Sequence, residues 1–404
     1  MDLDRFRNLM QQRIPLHPRY NLLLGRNGQG KTNFLEAIGY LGSLRSIRMA
    51  GRTEMIKHGE EMCRVSGTVT SEGLERVLAF TLTRRERIQF LDDRKVSSPE
   101  EYLQALKIIH FIPEDVGLVG GSPAWRRKVL DRSVFEVTPR YVSEYRKYLH
   151  VLRQRNALLR RGRASAAEMG SWDHALASTG AVLVERRLNL IKTLNPVMDK
   201  MGRRLGLGEG LGLTYVPSFA TGDRRKTKDT SRKDRNAASG DSALDRASME
   251  RCIFQSLVEQ AERETRSGHT LSGPHRDNIL FTLGRESGST DLARYGSQGQ
   301  KRSAVLAFKL ALAAIFHQML GMWPLILLDD VASELDETRR EALGSIIRET
   351  RAQFFISTTG EEYMFLPAKE GRIFQVKDGL LEPFQASDRQ DAKDPEPGTG
   401  GMST

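Results

Sequence analysis

The chain has 404 residues, with 62 Lys and Arg against 51 Asp and Glu, a formal charge of +11. That length supports one large domain or two ordinary ones, and two cysteines, Cys63 and Cys252, exclude a disulfide framework and fit a reducing compartment. No run of about 18 uncharged apolar residues occurs and the charged N-terminus lacks an apolar core, so neither a membrane-spanning helix nor a secretory signal is expected.

Residues 1–95 have α/β texture: an apolar run from Tyr20 to Leu24, a glycine loop, a helix from Lys31 to about Leu44, then strands at Cys63–Val69 and Val77–Leu82. The glycine loop, Gly25-Arg26-Asn27-Gly28-Gln29-Gly30-Lys31-Thr32 followed by Asn33, fits G-x-x-x-x-G-K-[ST] in full. Its glycines let backbone N–H groups curl around phosphate oxygens at a helix N-terminus. Lys31 is expected on the β- and γ-phosphates, and the Thr32 hydroxyl on Mg²⁺. The alternative is an ordinary glycine turn between a strand and a helix.

Residues 96–210 read as mostly helical and rich in Arg. Taken as a helix, Tyr141 to Arg161 puts Tyr141, Tyr145, Tyr148, Leu149, Leu152 and Leu159 on one face. Arg146, Lys147, Arg153, Arg160 and Arg161 fall opposite, with Arg155 at the apolar edge. The basic side is either a solvated face or a surface that neutralises nucleic-acid phosphates without reading bases. Residues 222–241 contain no aliphatic residue larger than alanine, so a mobile loop is expected there, either a second DNA contact or a solubilising insertion.

From about Glu250 to Leu381 the α/β texture returns, with strands at Leu325–Leu328 and Phe354–Ser357. Ser297-Gln298-Gly299-Gln300 opens a long apolar helix, where small and polar groups form an anion site or simply a cap. The apolar strand ending in Asp329 and Asp330 suits a P-loop protein: Asp329 for Mg²⁺, Asp330 to orient or deprotonate a water. The alternative is two acids capping the next helix. Ser333 and Asp336 follow, with Asp336 a fitting N-cap for a helix to about Arg348. Ser387 to Thr404 reads as a polar, frayed tail.

Together these motifs resemble the heads of the ATP-binding-cassette class, and more narrowly the bacterial RecF family of DNA repair and recombination ATPases. The resemblance rests on Arg5-Phe6-Arg7-Asn8, Gly28 to Ile38, Ile112-Pro113-Glu114-Asp115 and Gly121-Ser122-Pro123 with Arg126-Arg127. It continues through Gln154-Arg155-Asn156-Ala157-Leu158-Leu159, Ser272-Gly273-Pro274-His275-Arg276-Asp277, the Ser297 segment and Leu328-Asp329-Asp330. It implies an α/β P-loop ABC-ATPase-like head split around a mostly helical second lobe. The expected division is 1–95 and 271–385 for the head, 96–270 for the insertion and 386–404 for a flexible tail.

The resemblance also implies Gly25 to Asn33 on ATP, Lys31 and Asp330 as catalytic residues, and Thr32 with Asp329 on Mg²⁺. Ser297, Gln298, Gly299 and Gln300 would act in trans as the signature, with Ser333 and Asp336 in the D-loop. The implied activity is slow, DNA-stimulated ATP hydrolysis in an ATP-dependent homodimer on double-stranded DNA and single-to-double-strand junctions. RecR, with RecO, would be partners in loading RecA during recombinational repair and the SOS response, in the cytoplasm and away from membranes. There are departures from the family pattern. Most of its first strand is absent before Arg5, Asn278 stands where a second aspartate is usual, and Thr358-Thr359 follows the strand where transporters carry a histidine. His275 and Arg276 fit either a ligand contact or a structural role. Transporter-type subunits, SMC-type arm proteins and P-loop small-molecule kinases are the rival readings. The absence of long heptads and of a membrane segment, and the presence of the serine-glycine signature, argue against them.

Overall fold

Two short strands, β1 (Asp2–Asp4) and β2 (Gln12–Arg13), flank the Arg5-Phe6-Arg7-Asn8 segment in the computed structural model. It describes residues 1–71, 73–162, 166–220, 245–284, 288–360, 366 and 370–384, so the loop expected at 222–241 and the tail from 386 lie outside the described residues. Next come β3 (Tyr20–Leu24) and α1 (Lys31–Ser43), which begins and ends within a residue of expectation. The strands β4 (Met62–Ser71) and β5 (Leu74–Thr83) are longer than their apolar cores suggested. They are followed by β6 (Arg87–Leu91), β7 (Arg94–Lys95) and α2 (Pro99–Gln104). An antiparallel sheet in the order β2-β1-β4-β5-β6-β7 results. The few residues before Arg5 do form a strand in this sheet, pairing β4 from Asp2↔Ser66 to Asp4↔Arg64.

The chain then enters a second compact unit, residues 106–353. It begins with β8 (Ile108–Phe111), α3 (Gly117–Gly120), α4 (Pro123–Val137), α5 (Tyr141–Arg161) and the 39-residue α6 (Ala166–Arg204). After β9 (Gly212–Val216) and α7 (Arg246–Ser267) come β10 (Asn278–Leu283), β11 (Thr290–Asp291) and α8 (Leu292–Tyr295). The unit closes with α9 (Gln298–Leu320), β12 (Leu325–Leu328) and α10 (Glu337–Glu349). Helix α9 is long and apolar enough to cross a membrane by composition, yet 72% of its apolar window is buried. It packs along α6 and α4 and against β8, which pairs in parallel with β12. Its one buried cation, Lys309, is matched by Asp115 at 3.2 Å.

Residues from 354 on rejoin residues 1–105 in the first unit. Here β13 (Phe354–Thr358) and β14 (Arg372–Lys377) lie in parallel on either side of β3, and β15 (Leu380–Pro383) turns back antiparallel on β14. Every residue of β3 and β13 is buried, and β3 carries a parallel partner on each edge. Helix α1 is buried nearly all round, with Phe34 against Phe355 and Tyr40 against Phe80. It therefore sits between the parallel strands and the antiparallel sheet. The units divide at 105 and 353, where motif order had suggested 95, 270 and 385. Residues 297–300, β12 and residues 333–336 fall in the unit with the helices, where α9 packs against α4, α6 and β8 and β12 pairs with β8.

Candidate nucleotide-binding site

The phosphate loop joins β3 to α1 within the first unit. Arg26, Asn27 and Gly28 are exposed, while Lys31 is only 6% accessible. Its ammonium donates to the carbonyls of Gly25 at 2.5 Å and Arg26 at 3.1 Å, charge-assisted bonds that hold it beneath the loop. Gly28 (φ 82°) and Gly30 (φ 118°) take left-handed backbone conformations that only glycine adopts without cost. A methyl on Gly25 would lie 2.4 Å from the Val376 carbonyl oxygen, so β14 passes too close for any side chain there.

One turn into α1, Glu36 is fully buried. Arg7 bonds its carboxylate through Nε and through Nη2 at 3.1 Å, and the Ser46 hydroxyl donates to it at 2.5 Å. A buried carboxylate needs such partners, since leaving it unpaired costs about 3–5 kcal/mol. Arg7 and Asn8 were visible in the sequence only as part of a recurring segment. Their work depends on contacts with residues some 20 to 30 positions away.

The remaining motifs sit in the second unit. Asp329 directly follows β12 at 5% accessibility, its N–H donating to the Phe111 carbonyl at 2.9 Å. Asp330 follows at φ 50°, a left-handed conformation that aspartate tolerates better than most residues. The Ser333 hydroxyl donates to the Asp330 carbonyl at 3.0 Å. Glu334 pairs with Arg302 of α9 at 3.0 Å, and burial pushes its carboxyl upward. Asp336 caps α10, accepting the Arg339 N–H at 2.9 Å, as the sequence suggested. Ser297 caps α9 in a reciprocal capping box with Gln300, and both Ser297 and Gln298 are exposed. Among the described residues, no group of three or more His, Cys, Asp or Glu side chains could hold a metal. The hydroxyl of Thr32 and the carboxylate of Asp329 are hard oxygen donors of the kind that Mg²⁺ combines with phosphate oxygens and water.

Residues 1–382 match the family model described as the RecF/RecN/SMC N terminal domain. The chain is 34% identical over 380 residues to the DNA replication and repair protein RecF of Geotalea uraniireducens, spanning 93% of this chain and 97% of that one. Against RecF of Heliobacterium modesticaldum it is 36% identical over 390 residues, 94% and 97% of the two chains. The chain belongs to the RecF family. A solved structure of the recombination mediator protein RecF with ATP in the RecFOR pathway superposes at a TM-score of 0.75 and 27% identity, covering 95% of this chain and 98% of that one. An SMC head bound to the C-winged helix domain of ScpA shares the fold alone, at a TM-score of 0.53 and 13% identity.

Several of the segments that carry the family resemblance form buried hydrogen-bond and ion-pair networks. Arg155 is 1% accessible and bonds Asp173 at 2.6 Å, Glu264 at 2.7 Å and the Thr270 hydroxyl at 2.9 Å. Its neighbour Asn156 accepts both the N–H and the hydroxyl of Thr270. Arg187, equally buried, bonds Asp131, the Tyr215 hydroxyl and the Pro274 carbonyl. His275 meets the Tyr148 hydroxyl at 2.6 Å, and burial holds its imidazole down at about 4. Asp277 accepts from the Tyr215 hydroxyl at 2.5 Å and the Ser218 N–H at 2.7 Å. Asn278 accepts two N–H groups of Arg126, at 3.1 and 2.9 Å. Arg276 stays exposed, with Nε 3.3 Å from the Thr270 carbonyl. On α5, Arg146, Lys147, Arg153, Arg160 and Arg161 are all exposed, opposite buried Tyr141, Tyr148, Leu152 and Leu159.

Proposed function

We propose that the chain is an ATP-dependent DNA-binding protein of recombinational repair and replication restart. ATP drives two copies together on duplex DNA near single-stranded gaps, and slow, DNA-stimulated hydrolysis releases them. The phosphate loop from Gly25 to Asn33 holds the nucleotide, with Lys31 on its phosphates and Thr32 and Asp329 on Mg²⁺. Asp330 orients or deprotonates the attacking water, while Ser297 to Gln300 of one copy close on the γ-phosphate held by the other, with Ser333 and Asp336 alongside. Arg146, Lys147, Arg153, Arg160 and Arg161 neutralise DNA phosphates. RecR, with RecO, is the partner through which RecA is loaded, and the setting is the cytoplasm, on the nucleoid.

The observation that carries this reading is the intact phosphate loop, with Lys31 buried beneath it, in a chain that aligns end to end with RecF solved with ATP. The exposure of Ser297 and Gln298 at the start of a long helix supports their use by a second copy. The test is solution mass against ATP concentration, with and without duplex DNA. Wild type should dimerise with ATP, and Lys31→Ala should lose nucleotide binding. Ser297→Arg should bind ATP yet stay monomeric, and Asp330→Asn should accumulate the ATP dimer. Normal dimerisation of Ser297→Arg would overturn the composite site, and wild-type turnover by Asp330→Asn would remove Asp330 from the chemistry.

A further inference from the structure

Two backbone carbonyls of the phosphate loop are held from outside the motif, by residues at opposite ends of the chain. The Gly28 carbonyl accepts Nδ2 of Asn8 at 3.4 Å, and Asn8 Oδ1 in turn accepts Nδ2 of Asn33 at 2.7 Å. The Gln29 carbonyl accepts the Gly379 N–H at 2.9 Å, and its side-chain oxygen accepts the Asp378 N–H at 2.7 Å. Asp378 and Gly379 form the turn between β14 and β15, both left-handed at φ 47° and 80°, as a two-residue hairpin turn requires. This turn is braced in its own right. The Gly379 carbonyl accepts the Met10 N–H at 3.0 Å and Gln12 Nε2 at 2.8 Å, while Gln12 Oε1 accepts the Leu381 N–H at 3.0 Å. A methyl on Gly379 would fall 2.1 Å from the Asn8 carbonyl oxygen, so the turn and the Asn8 segment meet with no room between them.

In a planar trans peptide the C=O and the following N–H point in opposite directions, and there is no cis bond among the described residues. Holding the Gly28 carbonyl toward Asn8 therefore aims the Gln29 N–H the other way. Holding the Gln29 carbonyl toward the hairpin turn does the same for the Gly30 N–H. Successive backbone N–H groups turned to one side of such a loop are what binds an anion. We propose that Asn8 and the Asp378-Gly379 turn, braced by Gln12, are positioning residues of the nucleotide site, aiming the Gln29 and Gly30 N–H groups at the polyphosphate. The inference rests on the nucleotide reading of the loop. It adds that a loop complete in sequence is not complete in function without a turn 349 positions away.

The test measures ATP and ADP binding and steady-state hydrolysis by the full chain, comparing wild type with the neutral variants Asn8→Ala, Gln12→Met and Gly379→Ala. Loss of one aimed donor should weaken nucleotide binding about fivefold to tenfold. It should raise KM with kcat preserved at saturating ATP, because the donors act on the bound ground state as well as the transition state. Amide exchange at residues 25–31 should quicken, while the unfolding midpoint without nucleotide stays within about 2 °C of wild type for Asn8→Ala and Gln12→Met. Gly379→Ala is the harshest variant, and if it does not fold the two side-chain variants carry the test. Wild-type affinity in both would overturn the positioning role while leaving the nucleotide reading intact. A wild-type chain that binds no ATP would overturn both.

Discussion

Replacing Arg155 by methionine should unfold the second unit at a temperature far below that of wild type, and by an amount that depends on pH. The guanidinium is 1% accessible and satisfies Asp173 at 2.6 Å and Glu264 at 2.7 Å, the latter side chain fully buried. Methionine fills the stem's volume but leaves two carboxylates facing each other without a cation. Breaking a buried pair from one side costs about 3–5 kcal/mol. At about 2–4 °C per kcal/mol for a unit of this size, the melting temperature should fall by about 6–20 °C. Burial already holds the Glu264 carboxyl above its ordinary 4.5, with Arg155 pulling the other way. A carboxyl raised in the folded state takes up protons there that the unfolded chain does not hold. Its ionisation therefore erodes stability as pH rises from about 4.5 through the folded value. Without Arg155 that value rises further, so the cost should be smaller at pH 5 than at pH 8. The triple variant Arg155→Met/Asp173→Asn/Glu264→Gln removes the stranded charges and should recover most of the loss. Urea and thermal unfolding followed by circular dichroism would measure all three. An Arg155→Met cost below about 1 kcal/mol at pH 8, or one independent of pH, would refute the reasoning.

Two further outcomes follow from burial of titrating groups. Burial pushes the Cys63 thiol up to about 12 and leaves it inaccessible, whereas Cys252 is half-buried, so native protein at pH 8 should show one readily titrated thiol and unfolded protein two. Two fast thiols in the native chain would contradict the packing of β4. His275, held down at about 4 chiefly by burial, contributes stability that is complete above pH 6.5 and lost as pH falls toward 4. His275→Gln should flatten the acid limb of the stability curve by up to about 3 kcal/mol, and an unchanged limb would place the titration elsewhere.

What could be read from the sequence was the chemistry that needs a fixed local spacing. The loop from Gly25 to Thr32, the carboxylates closing Leu325–Leu328 and the Ser297 cap each lie within a few residues of one another, so their geometry follows from one strand or helix. The same holds for α5, whose length and apolar face follow from periodicity. The braces were not legible. Arg7 on Glu36, the Asp378-Gly379 turn on Gln29 and Arg187 on Pro274 join residues between 29 and 349 positions apart. An Asp-Gly pair signals a hairpin, but nothing local says which loop the hairpin will hold.

Charge shows the same limit from another side. Residues 126–163 carry 12 Lys and Arg against 3 acids, and counted along the sequence they make a single basic block. The fold divides that block. Arg126 is spent on Asn278 and on the carbonyls of Val119 and Gly121, Arg127 on the Asp277 carbonyl, and Arg155 on its two acids. What remains free to meet a polyanion from α5 is the exposed set of Arg146, Lys147, Arg153, Arg160 and Arg161. The face proposed to bind phosphates is therefore narrower than the net charge implies. The affinity it supplies should fall with salt in proportion to those five contacts, a slope of about −4 to −5 in log affinity against log salt if all are engaged. Arg155, turned inward on the same helix, would leave that slope unchanged when replaced, provided the unit stays folded. The inward and outward charges of α5 are thus separable by one titration: Arg155 variants move the melting curve, and Arg153 or Arg160 variants move the salt slope.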